Sequence, residues 1–317
     1  MPYINVDEVY ILNNTGLQVD QVVDSPYVDA GFTDTQKERF RKNIAAGGSN
    51  DNLLDNAYFV GGGSQLGDGV FPINQRGQSS YTGNSIGMDR WRNNGNGTTV
   101  LNADNVTFSN TNGWKDGLNQ RYAGNRFPLG SQVTFTVQMS DLSYHSCTIT
   151  VPTTADTQTL DVQAGTSGIY FAVRTNNGYY SQAFIMCDPS TSASIRWAKA
   201  ELGTVSTLAN DVPPDFDAEF EKCRYYLRYI PLTRYAIAIN GANAYMTMIG
   251  MPMHGVPTPS LPTAGGVRDA GGQSSITSAT VTGYDKKIAT VQFALSASRA
   301  YVVGYIYDTV LCLSAEL

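Results

Sequence analysis

Side chains that could act as catalytic acids or bases are few in this sequence. The two histidines are His145 in "SYHSC" and His254 in "MPMHGVP", and neither belongs to an H-E-x-x-H metal motif. A serine–histidine or cysteine–histidine pair of the catalytic kind could form only by long-range folding. We interpret His145 as a strand residue and His254 as a turn residue, and we predict no catalytic residue.

Paired carboxylates are the other acid–base chemistry to consider, because glycosidases place two of them across the scissile bond. Asp104, Asp116 and Asp188 are candidates, but they stand in "NADN", "KDG" and "CDPS", where aspartate ordinarily forms turns. The loops "GDG" and "NADN" offer oxygen ligands for a calcium ion, yet no EF-hand spacing supports one. We therefore predict no metal and no cofactor.

Aromatic residues in polar loops give the stronger signal. A sugar presents C–H groups that pack on flat rings, while nearby amides and guanidinium groups bond its hydroxyls. The segment "NTNGWKDGLNQRYAGN" and the hairpin-like "RTNNGYYSQ" both combine these residue types. The predicted carbohydrate-binding residues are Trp114, Asn119, Arg121, Tyr122, Tyr179 and Tyr180.

Core packing is the alternative for each of these rings, and the sequence leaves it open. Trp91 and Trp197 differ from them because they stand inside strand patterns, which favours a place in the core.

Composition limits the class of protein. Of 317 residues only 15% are charged, and the 31 glycines and 19 tyrosines suit short strands joined by tight turns. A net charge of −6 without basic patches argues against nucleic acid as a partner. We expect no secretory signal and no membrane insertion, because no apolar run approaches the roughly 18 residues of a spanning helix. The four dispersed cysteines indicate buried thiols rather than a disulfide framework.

Alternating strands dominate the chain after residue 51. In "SQVTFTVQMS", Val133, Phe135 and Val137 point to one side and polar residues to the other, which is typical of a half-buried antiparallel strand. About eight such strands predict a mainly β protein with a jelly-roll β-sandwich over residues 51–205. A smaller C-terminal β domain is predicted over residues 232–317, with a projecting Pro/Gly-rich turn from His254 to Ser275.

Two helices interrupt the β pattern. Within residues 1–50, "FTDTQKERFRKNIAAGG" carries a capping box and a thin apolar stripe of Phe40 and Ile44, which predicts a short helix for attachment or oligomerisation. Packing of this helix against its own next domain is the alternative. Residues 206–231 predict a linker helix with Asp215 as its cap and one apolar face that includes Phe216 and continues to Leu227 and Ile230.

Several of these segments, in this order, resemble phage or prophage tail-fibre (receptor-binding) proteins. They are "FTDTQKERFRKNIAA", then "NLLDNAYF", "INQRGQ" and "DRW", then "KAELGTVSTL" with "FEKCRYYLRY", and finally "IGMPMHGVPTPSL" with "LSAEL". Two departures are a short N-terminal region without long coiled coils and "MPMHGVP" in place of a more usual arginine-containing version.

The resemblance implies a homotrimer in the virion tail, made in the host cytoplasm. Its partners would be tail or baseplate proteins and host cell-surface polysaccharide, bound without covalent chemistry. A tail-spike depolymerase that cleaves the same glycan and a ligand-free structural baseplate protein are the alternative hypotheses.

Overall fold

The structure is a computed structural model that describes residues 51–63, 69–154, 157–159, 161–176, 180–250, 252–285, 287–299 and 303–315. The predicted N-terminal segment with Phe40 and Ile44, and also Tyr179, lie outside these residues. Strands make up 55% of the structure and helices 5%, which confirms a mainly β protein.

Two antiparallel sheets form the first part of the fold. Their strands are β1 (Ser80–Thr82), β2 (Arg92–Asn93), β3 (Thr98–Leu101), β4 (Val106–Ser109), β5 (Asp116–Ala123), β6 (Gln132–Met139), β7 (Tyr144–Thr150), β8 (Val162–Gln163), β9 (Ile169–Asn176), β10 (Tyr180–Cys187) and β11 (Ser192–Leu202). One sheet has the order β1-β3-β4-β11-β6-β7 and the other the order β2-β5-β10-β9-β8.

One apolar core lies between these two sheets. Val133, Phe135 and Val137 of β6 are fully buried in it, as their alternation predicts, and Phe171 of β9 stacks on Phe135 from the other sheet. Trp91 is also fully buried. The arrangement is therefore sandwich-like, while the jelly-roll topology remains a prediction.

A 3-10 helix (Leu208–Asn210) and helix α1 (Phe216–Arg224) follow the sandwich. The Asp215 carboxylate accepts a hydrogen bond from the Ala218 amide at 2.8 Å, which confirms the predicted cap. The prediction that the helical face continues to Leu227 and Ile230 is wrong, because both residues belong to the next strand. Tyr226 turns instead towards the sandwich, where the buried Arg90 gives its ring a partner.

The C-terminal part contains two further sheets. Their strands are β12 (Leu227–Leu232), β13 (Ala236–Ile249), β14 (Thr258–Thr263), β15 (Gly266–Asp269), β16 (Gly272–Asp285), β17 (Ile288–Arg299), β18 (Val303–Tyr307) and β19 (Thr309–Ser314). Strands β12, β19 and β14 form a three-stranded sheet, and β13-β17-β16-β15-β18 close on themselves around a second core. The predicted domain boundaries remain predictions.

The expectation of a projecting turn after His254 is wrong. Its residues form β14 and β15, although Pro259 and Pro262 lie within β14. An edge strand tolerates proline because one row of its amides needs no partner in the ladder, and β14 is at the edge of its sheet.

Candidate functional site

The five-stranded sheet has one face on the core and one face turned away from it. On β5, Leu118 and Tyr122 belong to the core, so the alternate residues of this strand lie on the opposite face. Direct antiparallel partners share a face, which assigns the neighbouring strands in the same way. We call the side away from the core the outer face. Its polar and aromatic residues are Arg92, Asn119, Arg121, Gln158, Gln163, Tyr170, Arg174, Asn176, Tyr180, Gln182 and Phe184, and the last of these packs with Ala172, Met186 and Tyr170 in a small apolar cluster.

A row of amides and guanidinium groups crosses the outer face. Gln182 of the central strand β10 pairs directly with Arg121 of β5 on one side and with Arg174 of β9 on the other. An isolated bridge places Gln158 beside Arg174. The order across the sheet is therefore Arg121, Gln182, Arg174 and Gln158, so hydrogen-bond donors follow one another perpendicular to the strands.

A second row lies beside the first on the same face and contains Arg92, Asn119, Phe184 and Ala172. Arg92 of β2 pairs with Asn119 of β5, and the Gln182 side-chain amide donates to Asn119 Oδ1 at 2.7 Å. Asn119 and Gln182 are almost fully buried, whereas Arg92, Arg121 and Arg174 are partly exposed. The buried amides form the floor of the outer face, and the guanidinium groups are the part that a ligand can reach.

Two tyrosines on this face lie beneath cations. The Arg121 guanidinium is 4.7 Å from the centroid of the Tyr180 ring, and Lys115 Nζ is 4.1 Å from that of Tyr170. The Tyr170 hydroxyl donates to the Asp188 carboxylate at 3.4 Å. Desolvation, followed by this hydrogen bond, raises the pKa of Tyr170.

The predicted sugar-binding residues do not all share this face. Asn119, Arg121 and Tyr180 lie on it. Trp114 is 66% exposed in the loop between β4 and β5, beside Lys115, and Asn110 Nδ2 holds its carbonyl at 2.8 Å. Tyr122 lies on the opposite face, in the core.

Sequence reasoning missed Arg92, Tyr170, Arg174 and Gln182. Three of them occupy alternate positions of "IYFAVRT" and "YSQAF", which read as buried strands because apolar residues surround them. Polar residues at the outward positions of an otherwise apolar strand were the available signal. Pairing of these strands with β5 could not be read from the chain.

A cleft of about 270 Å³ lies where the sandwich meets helix α1. It is lined by Asp55, Tyr122, Ala123, Arg126, Lys222, Tyr225 and Tyr226. Its charges are mostly paired, since Asp55 contacts Arg90 at 3.2 Å and Arg126 at 3.7 Å, and Lys222 contacts Glu219. We interpret this place as a structural joint between the two halves of the chain.

Three of the motifs that resemble tail-fibre proteins, "NLLDNAYF", "INQRGQ" and "FEKCRYYLRY", contact one another near this joint. Asn56, from "NLLDNAYF", has a left-handed backbone (φ 47°), and its side-chain amide donates to the carbonyls of Ile73 and Asp89. Its backbone amide donates to Glu219 of α1 at 2.8 Å. Gln75, from "INQRGQ", donates to the Leu227 carbonyl at 2.9 Å. These motif residues therefore hold the sandwich to the segment that follows it.

The residues with catalytic potential are held in structural contacts. His145 Nε2 lies 3.1 Å from Ser143 Oγ, and the ring of His254 stacks on Tyr226. Asp116 accepts from Asn94 and Asn112, and Asp104 contacts Arg196 at 3.3 Å.

The segment Gly83–Gly87 has the G-x-S-x-G spacing that carries the nucleophile in α/β-hydrolases. Here it connects β1 to β2 rather than a strand to a helix. Ser85 Oγ donates to the Thr82 carbonyl at 2.7 Å, so this serine has the bonding of a turn residue.

In the part of the chain that the structure describes, no three His, Cys, Asp or Glu side chains cluster in a way that could hold a metal ion. The helices of the same residues are too short or too polar to span a bilayer. All four cysteines are free thiols, and burial raises the pKa of Cys147 to about 12.

Comparison with known proteins gives no match for this chain among protein-family models, curated proteins or solved structures.

Proposed function

We propose that this chain is the receptor-binding protein of a phage or prophage tail fibre, and that its jelly-roll-type sandwich binds host cell-surface polysaccharide without cleaving it. The observation that carries the proposal is the outer face. Partly exposed Arg121 and Tyr180 stand there above a buried floor of hydrogen-bonded amides, Asn119 and Gln182. Rings that stack on sugars and donors that bond hydroxyls are therefore presented together on rigid strands.

The ordered sequence motifs give the proposal its biological setting. They support a place in the virion tail, with tail or baseplate proteins as partners on the side of residues 1–50. The outer face is part of the sandwich that follows, and it is the surface that we propose for the glycan.

A homotrimer is the assembly that we propose. A single shallow sugar site binds weakly, and three linked sites can exceed one by about 10² to 10⁴ in avidity. Exposed apolar residues of the C-terminal strands, Ile249 at 78% and Val303 at 63%, are consistent with contacts between copies.

The proposal is tested on an array of bacterial surface polysaccharides probed with the full chain, together with a reducing-end assay on every polysaccharide that binds. Binding without release of reducing ends is expected. Release of reducing ends would favour the depolymerase, and an array without hits would favour the ligand-free structural protein.

The trimer is tested separately by light scattering at micromolar concentration. We expect three times the mass of the chain for the wild type and a smaller assembly for the double substitution Phe40→Ser/Ile44→Ser. A wild-type monomer, or a trimer that survives the double substitution, would contradict the proposed assembly or the role of those two residues.

A further inference from the structure

The outer face carries positive charge, which a neutral glycan would not neutralise. Resting on the function proposed above, we infer that its ligand is an anionic glycan whose carboxylate or phosphate groups are bound by Arg121, Arg174 and Arg92.

Positive charge is concentrated on this face although the whole chain has a net charge of −6. Lys115 and the three arginines contribute four positive charges. Two carboxylates of the described residues, Asp188 and Asp161, interact electrostatically with Tyr170 at the edge of the outer face. The local balance is thus positive by about two, opposite in sign to the chain as a whole. Such a patch raises the local concentration of anions.

Within the part of the chain that the structure describes, the four cations have no carboxylate partner, whereas several other buried or half-buried cations do. Among the described residues, ion pairs within 4.0 Å serve Arg90, Arg126, Lys199 and Arg299, whereas none serves Arg92, Arg121, Arg174 or Lys115. Arg92 Nη2 donates to the Asn84 carbonyl at a long 3.4 Å, so its guanidinium group has further donors to offer a ligand.

The spacing of the arginines suits a polymer better than a small ion. Arg121 and Arg174 are two strands apart, which separates their backbones by about 10 Å. Arg92 pairs with Asn119, two residues from Arg121, so it lies on a diagonal about 7–8 Å from Arg121. These separations allow the three guanidinium groups to bind separate charged groups repeated along one polymer chain.

The chemistry of the side chains explains why an acid would be preferred. A guanidinium group presents two parallel N–H donors that match the two oxygens of a carboxylate or phosphate. Arg121 is also held above Tyr180, so little freedom is lost when it binds. A neutral sugar would bury part of these charges without neutralising them.

The test measures binding of the full chain to polygalacturonate, to poly(glycerol phosphate) and to neutral dextran, together with the bacterial polysaccharide array. We expect binding to at least one of the two anionic polymers, with dextran much weaker, and affinity that falls several-fold between 50 and 300 mM NaCl. The polymer that binds identifies carboxylate or phosphate as the group recognised.

Variants make the test specific to the outer face. Arg121→Gln and Arg174→Gln are each expected to weaken anionic-polymer binding by about 10-fold to 100-fold. Arg121→Lys keeps the charge but loses the two parallel N–H donors. Its affinity for the anionic polymer should lie between those of the two glutamine variants and that of the wild type. The matched control is Arg268→Gln, which removes the same charge from β15 in the C-terminal part.

Equal melting temperatures of the variants establish that they fold. Failure of both anionic polymers, equal affinity for dextran, or equal losses for Arg121→Gln and Arg268→Gln would overturn the inference. Array hits restricted to neutral glycans would overturn it while leaving the proposed function standing. An array without any hit would overturn both.

Discussion

The Arg90 guanidinium lies 3.5 Å from the centroid of the Tyr226 ring, although one residue belongs to the sandwich and the other follows helix α1. Arg90 also contacts Asp55 at 3.2 Å, and its Nη2 donates to the carbonyl of Arg121 at 2.6 Å. The joint between the two halves is thereby bonded to β5, the strand that carries part of the outer face. Arg90 therefore supports both the strand beneath the outer face and the attachment of the C-terminal part.

Replacement of Arg90 by glutamine should therefore destabilise the protein strongly. Arg90 is 5% exposed, and its loss leaves Asp55 with only the longer contact to Arg126. Removal of one partner of a buried ion pair costs about 3–5 kcal/mol. Urea unfolding measures the free energy of unfolding. The control Arg268→Gln, which changes an exposed residue, should lower this free energy by less than about 1 kcal/mol. Similar losses for the two variants would contradict the role of the joint.

Lys199 provides a second prediction about stability. Its side chain is fully buried, and Nζ lies 2.7 Å from both carboxylate oxygens of Asp211 and 2.7 Å from Thr207 Oγ1. We expect Lys199→Met to cost about 3–5 kcal/mol in urea unfolding, because Asp211 and the fully buried Glu201, 3.8 Å away, both lose their counter-ion. The double variant Lys199→Met/Asp211→Asn should recover part of that loss. If it is no more stable than the single variant, the pair does not act as described.

The imidazole of His254 predicts a pH dependence. Desolvation and the nearby Arg90 charge lower the pKa of His254 from its ordinary 6.5. At pH values between the lowered pKa and 6.5, the unfolded chain binds the proton more readily than the folded chain does. The stability that depends on neutral His254 therefore falls as the pH drops below about 6.5.

The measurement is the melting temperature at pH 7.5 and 5.5 for the wild type and His254→Gln. The wild type should lose more stability on acidification than the variant does. An identical loss in both proteins would show that His254 does not contribute.

Trp114 tests the ligand surface without involving the core. Because its ring is 66% exposed, Trp114→Ala should change the free energy of unfolding by about 0.5 kcal/mol or less. We expect glycan affinity to fall by about 10-fold, since a ring that stacks on a sugar contributes about 1–2 kcal/mol. Val212→Ala, which truncates another exposed apolar residue, is the control. Unchanged affinity for Trp114→Ala would remove this loop from the binding site.

The fold was largely predictable where the signal is local. Alternation identified β6, and Asp215 identified the start of α1 through a contact only three residues away. The prediction that β6 is half-buried is wrong, because Thr134 and Thr136 on its other side are also buried and bond Gly203 and Ser206. The end of α1 was not predictable, since the position of Tyr226 depends on Arg90, far away in the chain. β14 escaped prediction because its prolines are tolerated only at the edge of a sheet, which the sequence does not reveal.

The candidate site was only half predictable for the same reason. Arg121 and Tyr180 could be chosen because aromatic and polar residues are clustered around them in the sequence. Arg174 and Gln182 join them only through the register of β5, β10 and β9. The same register turns Tyr122 away from the outer face, although it is next to Arg121 in the chain.

The most direct test of whether the glycan binds at the outer face is a comparison on one array of bacterial polysaccharides. It compares Tyr180→Ala with the wild type and with Arg268→Gln. Tyr180 supports Arg121 and offers the outer face its partly exposed ring, while Arg268 is in the C-terminal part. We expect Tyr180→Ala to lose about 10-fold or more in affinity for every glycan that the wild type binds. The affinity of Arg268→Gln should be unchanged. Full binding by Tyr180→Ala would show that the glycan is held elsewhere.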